Sequence, residues 1–409
     1  MREETFIAQD YDVFGGLDVS KKSIAATFSN RQGLIRSLQM PHNVEYLLNH
    51  VRKHFADQKI AFVYEAGPTG YGLYDGLAAK GYRCLIAAPS MIPRAPGQRV
   101  KTNRLDSRGL SESLRGGQLQ SIHIPSPVYR ELRHLTQLRD TMVRQAAAHK
   151  QRIKALLLLE GIDFPPAAAG RQWTLRVKAQ LRKLGCSRSV RFKLDQLLDS
   201  LEFSEKQVVN STKEIRRFCK EDKELSQSIA YLMSIPGIGW IVASQLLARI
   251  GDWREIDNVR QLGSFLGLVP TENSTGDKVD RGSITRIGDG RLRSKLIQAA
   301  WSAIRQDAEL REFYRSVCRR NPRSKGARIA IVAVARKLST RIYAVLKNQR
   351  PYIVKEQVHS APLTQEETSP RERLDVAQNR ERLTTPEGSR CETEIPGPCA
   401  LERAHCKEV

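Results

Sequence analysis

The chain has 409 residues, room for two or three domains, and carries 67 Lys and Arg against 44 Asp and Glu, a formal charge of +23. The surplus is concentrated: residues 1–350 hold 59 basic against 33 acidic groups, whereas residues 351–409 hold 8 against 11. A field of that sign captures polyanions and points to nucleic acid, the plainer alternative being a merely basic, soluble protein. No stretch reaches the roughly 18 apolar residues that span a bilayer, and MREETFIAQDYDVFGG lacks the apolar run of a signal peptide. The seven cysteines (84, 186, 219, 318, 391, 399 and 406) show no ligand-type spacing, so the sequence argues for free thiols and against a zinc set. These features predict a cytoplasmic, nucleoid-associated protein.

In chain order, residues 13–18 and 23–28 read as short strands and 33–38 as a third. Residues 43–55 follow as a helix, and 60–64 as a fourth strand closed by Glu65 and a turn at Gly67 and Pro68. A helix over 71–79, a strand over 83–87 and a helical segment around 104–114 complete the pattern. Three strands able to form a meander, then helical crossovers, predict a mixed α/β sheet for a domain over 13–125.

Residues 128–160 predict one long helix. Leu135, Met142, His149 and Leu156 recur every seven positions, with Leu138 and Leu159 on a neighbouring seam, a coiled-coil pattern that Gln145 and Arg152 interrupt. His149 reads as a packed or interface histidine. Gly161, Pro165 and Pro166 end the helix. The helical pattern resumes over 173–229 and completes a connector over 126–229. Residues 230–350 predict a mostly helical domain. Residues 351–409 mix Pro, Glu, Thr, Ser and Arg without apolar periodicity and read as a disordered tail.

Asp18 lies in LDVS on the first strand, Glu65 in VYEAG after the fourth, and Asp106 in VKTNRLDSRGL. If those strands are neighbours, the two carboxylates reach one sheet edge. With Asp106 they form a hard oxygen set suited to Mg²⁺ or Mn²⁺. Buried without a cation, such a trio would suffer like-charge repulsion. With divalent ions it could activate an oxygen nucleophile and stabilise a phosphodiester transition state. A structural reading stays open beside this one, with Asp18 capping a turn and Glu65 capping the helix after Pro68. Lys101, Arg104 and Arg108 flank Asp106 and suit a passing phosphate backbone.

In the C-terminal domain, SIPGIGWIVASQLLARIG places Gly237 and Gly239 in a turn between helices, like a helix-hairpin-helix element whose amides hold a phosphate. The alternative is a tight helix corner that needs these glycines for geometry. A polar stretch over 271–301 follows, with Ser274, Thr275 and Ser283 among Lys278, Arg281, Arg286, Arg291, Arg293 and Lys295. A serine among cations can attack phosphorus, or simply hydrogen-bond a phosphate. Residues 319–350 contain ten Lys or Arg and no acid, among them Arg319, Arg320, Arg323, Lys325 and Arg328, and read as a basic amphipathic helix.

LDVSK, VYEAGPTGYGL and RVKTNRLDSRGL, with SIPGIGWIVASQLLARIGD and LGLVPTENSTGDKVDRGSITRIGDGRLRSKLIQAA, make the chain resemble the DEDD-type bacterial transposases of the insertion-sequence family numbered 110, and its group numbered 1111. The resemblance spans residues 13–345. It implies an RNase H-like (RuvC-like) catalytic sheet, a helical coiled-coil connector and an α-helical transposase domain carrying a serine. It assigns metal-ligand positions to Asp18, Glu65 and Asp106, and a fourth to Asn103, where many relatives have Asp; Asn keeps a carbonyl oxygen but removes a charge. The family's serine maps to Ser274, with Ser283 a distant second. The resemblance further implies Mg²⁺-dependent serine attack on DNA, strand exchange between donor and target DNA, a structured noncoding bridge RNA as guide, and a homo-oligomer. Rival readings are a RuvC-like nuclease that uses water, and a nucleic-acid-binding derivative without catalysis.

Overall fold

The computed structural model describes residues 6–93, 102–166, 173–273, 281–285, 287–322 and 325–353. The chain divides into two compact units, Met1–Pro125 and Ser126–Val409.

The first unit is built on strands β1 (Val13–Val19), β2 (Ser23–Asn30) and β3 (Gly33–Pro41), helix α1 (Val44–His54), β4 (Ile60–Glu65), α2 (Gly72–Ala78), β5 (Arg83–Ala87) and α3 (Asn103–Arg115). The sheet order is β3-β2-β1-β4-β5: the first three strands pair antiparallel, whereas β4 and β5 run parallel to β1. This mixed sheet is compatible with an RNase H-like DEDD domain. Strand alternation divides its two faces. Val13, Leu17, Phe62 and Tyr64 join Leu47, Leu48, Leu73 and Leu77 of α1 and α2 in one core. Phe14, Ala61, Val63, Leu85 and Ala87 pack against Leu110 and Leu114 of α3 in the other. Both faces are covered, so the central strands are apolar on each side, and Glu65 is the last residue of β4 rather than the first beyond it.

The second unit begins with α4 (Pro127–Leu159), α5 (Leu175–Arg182) and α6 (Arg188–Glu221), followed by α7 (Lys223–Met233), α8 (Trp240–Ile250) and α9 (Val259–Phe265). A short antiparallel pair, β6 (Pro270–Glu272) and β7 (Arg281–Ile284), precedes α10 (Gly290–Gln306), α11 (Ala308–Arg320) and α12 (Gly326–Asn348). Helices α4 and α6 form an antiparallel hairpin. Tyr129 and Leu132 of α4 share a core with Ile215 and Cys219 of α6, whereas Ile153 and Leu157 pack with Leu194 and Leu201. The first of these cores continues through α7–α12, so the hairpin and the C-terminal helices are cored together.

Two sequence expectations are corrected here. The buried stripe of α4 runs through Tyr129, Leu132, Thr136, Ala146, Ile153, Leu156 and Leu157, so Leu156 of the expected row is buried, and Leu135 of that row packs against the core. Leu138 and Leu159 instead face solvent, at 48% and 79% exposure. The true seam includes Arg139, which donates to Thr212 at 2.9 Å, and Lys150, which pairs with Glu205 at 2.9 Å. Polar residues satisfied by α6 therefore hide it from a hydrophobicity count. His149 is half-buried, and burial lowers its pKa. Nor do residues 319–350 form one helix: the chain breaks between α11 and α12. Helix α12 is largely a core element, with Ile331, Val334, Ala335, Leu338 and Ile342 buried. The tail after residue 353 lies outside the described residues, and no described helix is long and apolar enough to cross a membrane.

Candidate active site

Register fixes where the acidic residues stand. Leu17 pairs with Tyr64 in the parallel β1–β4 ladder, so Asp18 and Glu65 occupy the next rung. Alternation puts Asp18 on the face of Phe14 and Gly16, and Glu65 on the face of Ala61 and Val63; both are the α3 face. Helix α3 runs antiparallel to β1. Ser111 donates to the carbonyl of Phe14 at 2.8 Å, and one turn earlier the backbone at Ser107 meets Gly16. Extending by one more turn brings Asn103, with Asp106 beside it, to the end of the sheet that carries Asp18 and Glu65. Asp106 is one turn ahead of Leu110, which packs over β4 and β5, so it leans toward the Glu65 side.

Local structure holds these groups in place. Thr102 caps α3 by accepting from the Leu105 amide at 3.3 Å, and Asp106 occupies the helix's first turn, where the positive end of the dipole favours a carboxylate. After Glu65, the Ala66 amide bonds to the Ala87 carbonyl at 2.8 Å. Tyr64 is fully buried; burial pushes its hydroxyl pKa up, and it donates to the Gly70 carbonyl at 3.0 Å, pinning the 66–70 turn. Asp18, Glu65 and Asp106 are half-buried and Asn103 is exposed. The all-oxygen donor set fits a hard divalent cation in kind. It does not form a closed cage: among the described residues, no three His, Cys, Asp or Glu side chains are grouped closely enough to hold a metal ion.

A family model described as the transposase IS116/IS110/IS902 family matches residues 229–315, and a second, for the DEDD transposase of IS110, matches residues 15–161. The chain belongs to the IS110 family of DEDD transposases. The Sinorhizobium fredii protein y4qE is 29% identical over 84% of this chain and 91% of its own length. The transposase for insertion sequence element IS1533 of Leptospira borgpetersenii is 24% identical over 83% of this chain and 97% of its own. The pilin gene-inverting protein of Moraxella bovis is 33% identical over 32% of this chain and 40% of its own. The protein is thus a DNA transposase, an enzyme that cleaves and recombines DNA, and domains of its DEDD type work with divalent metal ions.

The basic residues of this transposase separate into two groups. Arg104, Arg291, Lys325 and Arg328 are exposed, and Lys295 is half-buried. Arg108 and Arg319 are exposed but paired, with Glu112 at 2.8 Å and Glu312 at 2.6 Å, and Arg320 donates to the Ser316 carbonyl at 3.4 Å. Arg293 has a structural role instead: it donates to the Leu266 carbonyl at 3.2 Å and lies so close to Gly267 that a Cβ there would come within 2.3 Å of its guanidinium. Gly237 is likewise a packing glycine. Its φ is +86°, a Cβ would fall 2.4 Å from the Ala299 carbonyl oxygen, and its amide donates to Gln306 at 3.2 Å. Gly239, the N-cap of α8, has open space before it. Arg281 opens β7, and Ser283 is exposed on the same strand. Lys101, Ser274, Lys278, Arg286 and Arg323 lie outside the described residues.

Sequence reasoning missed two groups of residues. Gly16, Thr27, Ser107 and Ser111 join α3 to the sheet; serines at i and i+4 in RLDSRGLSES, facing a glycine pair in VFGGLD, were the available signal. Asp289 caps α10 through the Arg291 and Leu292 amides and pairs with Arg249 at 2.9 Å, placing an ion pair just after the polar stretch.

Proposed function

We propose that this transposase mobilises an insertion sequence by serine attack on DNA phosphodiesters, with Asp18, Glu65 and Asp106, assisted by Asn103, as Mg²⁺ ligands and Ser274 as nucleophile. The observation that carries the metal part is the shared rung: Asp18 and Glu65 lie at the same end of adjacent parallel strands, on the face against which α3 packs. Bound divalent ions would polarise the scissile phosphate and stabilise the leaving oxygen. The Ser274 oxygen forms the new bond to phosphorus, the strand's own oxygen–phosphorus bond breaks, and the released strand hydroxyl takes up a proton. Attack by the hydroxyl of another strand on the phosphoserine then rejoins DNA and frees the serine, without ATP. A water-using nuclease would leave no such ester. The reading is supported by the basic surroundings of Ser274 in sequence and by a relative named for inverting a gene, an outcome that needs rejoining as well as cutting. On the same reading, a structured noncoding RNA aligns donor and target DNA, and more than one copy of the chain takes part.

The test incubates protein, Mg²⁺, RNA co-purified with it and labelled donor and target DNA, then denatures the mixture and looks for label migrating with protein. Asp18→Asn should lose cleavage and retain nucleic-acid binding. Ser274→Ala should lose both adduct and recombination while still assembling the complex. Normal cleavage by Ser274→Ala with no adduct in the parent would establish the water-using nuclease instead, and an adduct lost only in Ser283→Ala would move the nucleophile.

A further inference from the structure

Helix α3 lies closer to the sheet than a helix can when ordinary side chains intervene. A Cβ built on Gly16 would come 2.2 Å from the Ser107 carbonyl oxygen and 2.3 Å from the Ser111 amide nitrogen, so the two backbones touch there. Hydroxyls, not apolar side chains, bridge the contact. Thr27 Oγ1 is 2.8 Å from Ser107 Oγ and 3.0 Å from Ser37 Oγ, and Ser29 Oγ is 2.6 Å from Ser111 Oγ. Ser107 in turn donates to the Arg104 carbonyl at 3.1 Å. A chain from Ser37 to Thr27 to Ser107 to that carbonyl uses each hydroxyl proton once and ends in the helical turn that carries Asn103 and Asp106. Thr27, Ser29, Ser107 and Ser111 are each at most 1% exposed.

Hydroxyl bonds are directional and weaken steeply when misaligned. Apolar contacts such as those of Leu110 and Leu114 on the same helix are not directional and tolerate sliding. We propose that Gly16, Ser107 and Ser111 are positioning residues for the metal-binding carboxylates: Gly16 sets the height of α3 over β1, and the serines set its register. Asp18 lies two residues beyond Gly16 on the same face, and Asp106 adjoins Ser107, so a shift of the helix separates the ligand set directly. This inference rests on the carboxylate reading given above.

The experiment compares full-length parent, Gly16→Ala, Ser107→Ala, Ser111→Ala, the double serine variant and Asp106→Asn. It measures cleavage of DNA bearing the element's ends against Mg²⁺ and Mn²⁺ concentration, DNA binding by anisotropy, and thermal unfolding. Gly16→Ala should slow cleavage by about 100-fold, the loss a misplacement near 1 Å brings, and raise the Mg²⁺ concentration for half-maximal rate. Mn²⁺ should restore more activity than Mg²⁺, which demands near-ideal geometry, and DNA binding should stay at the parent level. The double serine variant should show the same metal-dependent defect in milder form, and it decides the matter if Gly16→Ala does not fold. Folded variants with the parent's metal requirement and rate, beside an inactive Asp106→Asn, would overturn the positioning role alone. Asp106→Asn cleaving like the parent would overturn the carboxylate reading and this inference with it.

Discussion

Replacing Asp307 tests how the C-terminal core tolerates its buried charge. Asp307 is 1% exposed at the N-cap of α11, where it accepts from the Leu310 amide at 2.9 Å and pairs with Arg341 at 2.7 Å. The Arg341 side chain is 8% exposed, lies over the Tyr352 ring at 4.5 Å, and has a second, exposed partner in Glu309 at 3.1 Å. Asp307→Ala removes the cap, worth about 1 kcal/mol, and leaves a buried guanidinium short of its nearer partner. Breaking a buried pair costs about 3–5 kcal/mol, and the retained Glu309 contact places this case at the lower end. The expected loss is therefore about 4 kcal/mol, a fall in Tm of roughly 8–16 °C for a unit of this size. Asp307→Asn keeps an effective cap and should lose only about 3 kcal/mol, so the difference between the variants isolates the capping contribution. Urea unfolding followed by circular dichroism measures both. A loss below about 1 kcal/mol in Asp307→Ala, the net value of an ordinary hydrogen bond, would refute the reasoning.

Gly237→Ala should destabilise the second unit by about 3 kcal/mol, because the left-handed backbone and the close approach to α10 are each worth ~1–3 kcal/mol; calorimetry showing an unchanged Tm would return Gly237 to the phosphate-binding reading. The carboxylate of Glu205 concerns pH. Burial pushes its pKa up, but hydrogen bonds from Lys178 and Lys150 outweigh that and hold it below the ordinary 4.5. A carboxyl group lowered on folding adds stability above its unfolded pKa and loses it as the pH falls through the folded one. Glu205→Gln should therefore be less stable than the parent at pH 7, with the gap closing as the pH drops below 4.5; a gap that stayed constant down to acid unfolding would contradict this. 

The first unit was largely legible in the sequence because its signals are local. Apolar runs bounded by turn residues gave the five strands, and Asn43 and Thr102 cap the helices they precede. The placement of Asp18 near Glu65 needed only the assumption that their strands pair, which the β1–β4 ladder satisfies. The β6–β7 pair was not legible, since strands of three and four residues within a polar stretch carry no usable alternation. The role of Gly237 was also hidden: its glycine spacing suits both an anion-binding turn and a tight corner, and only contact with α10 separates them.

By itself the sequence carried the motifs that mark the chain as a DEDD transposase and the apolar runs that lay out its first unit, because motif and periodicity are properties of neighbouring residues. Tertiary structure alone decided which row of α4 is buried, since Thr136, Arg139 and Lys150 become core-compatible only when α6 or the helix's own carbonyls supply their partners. It also decided that Arg293 and Arg341 serve the fold rather than a surface, because an arginine's role depends on which carbonyl or carboxylate lies within reach. The close seat of α3 has the same origin: a glycine and two serines become a clamp only when residues some 80 positions apart in the chain are brought face to face.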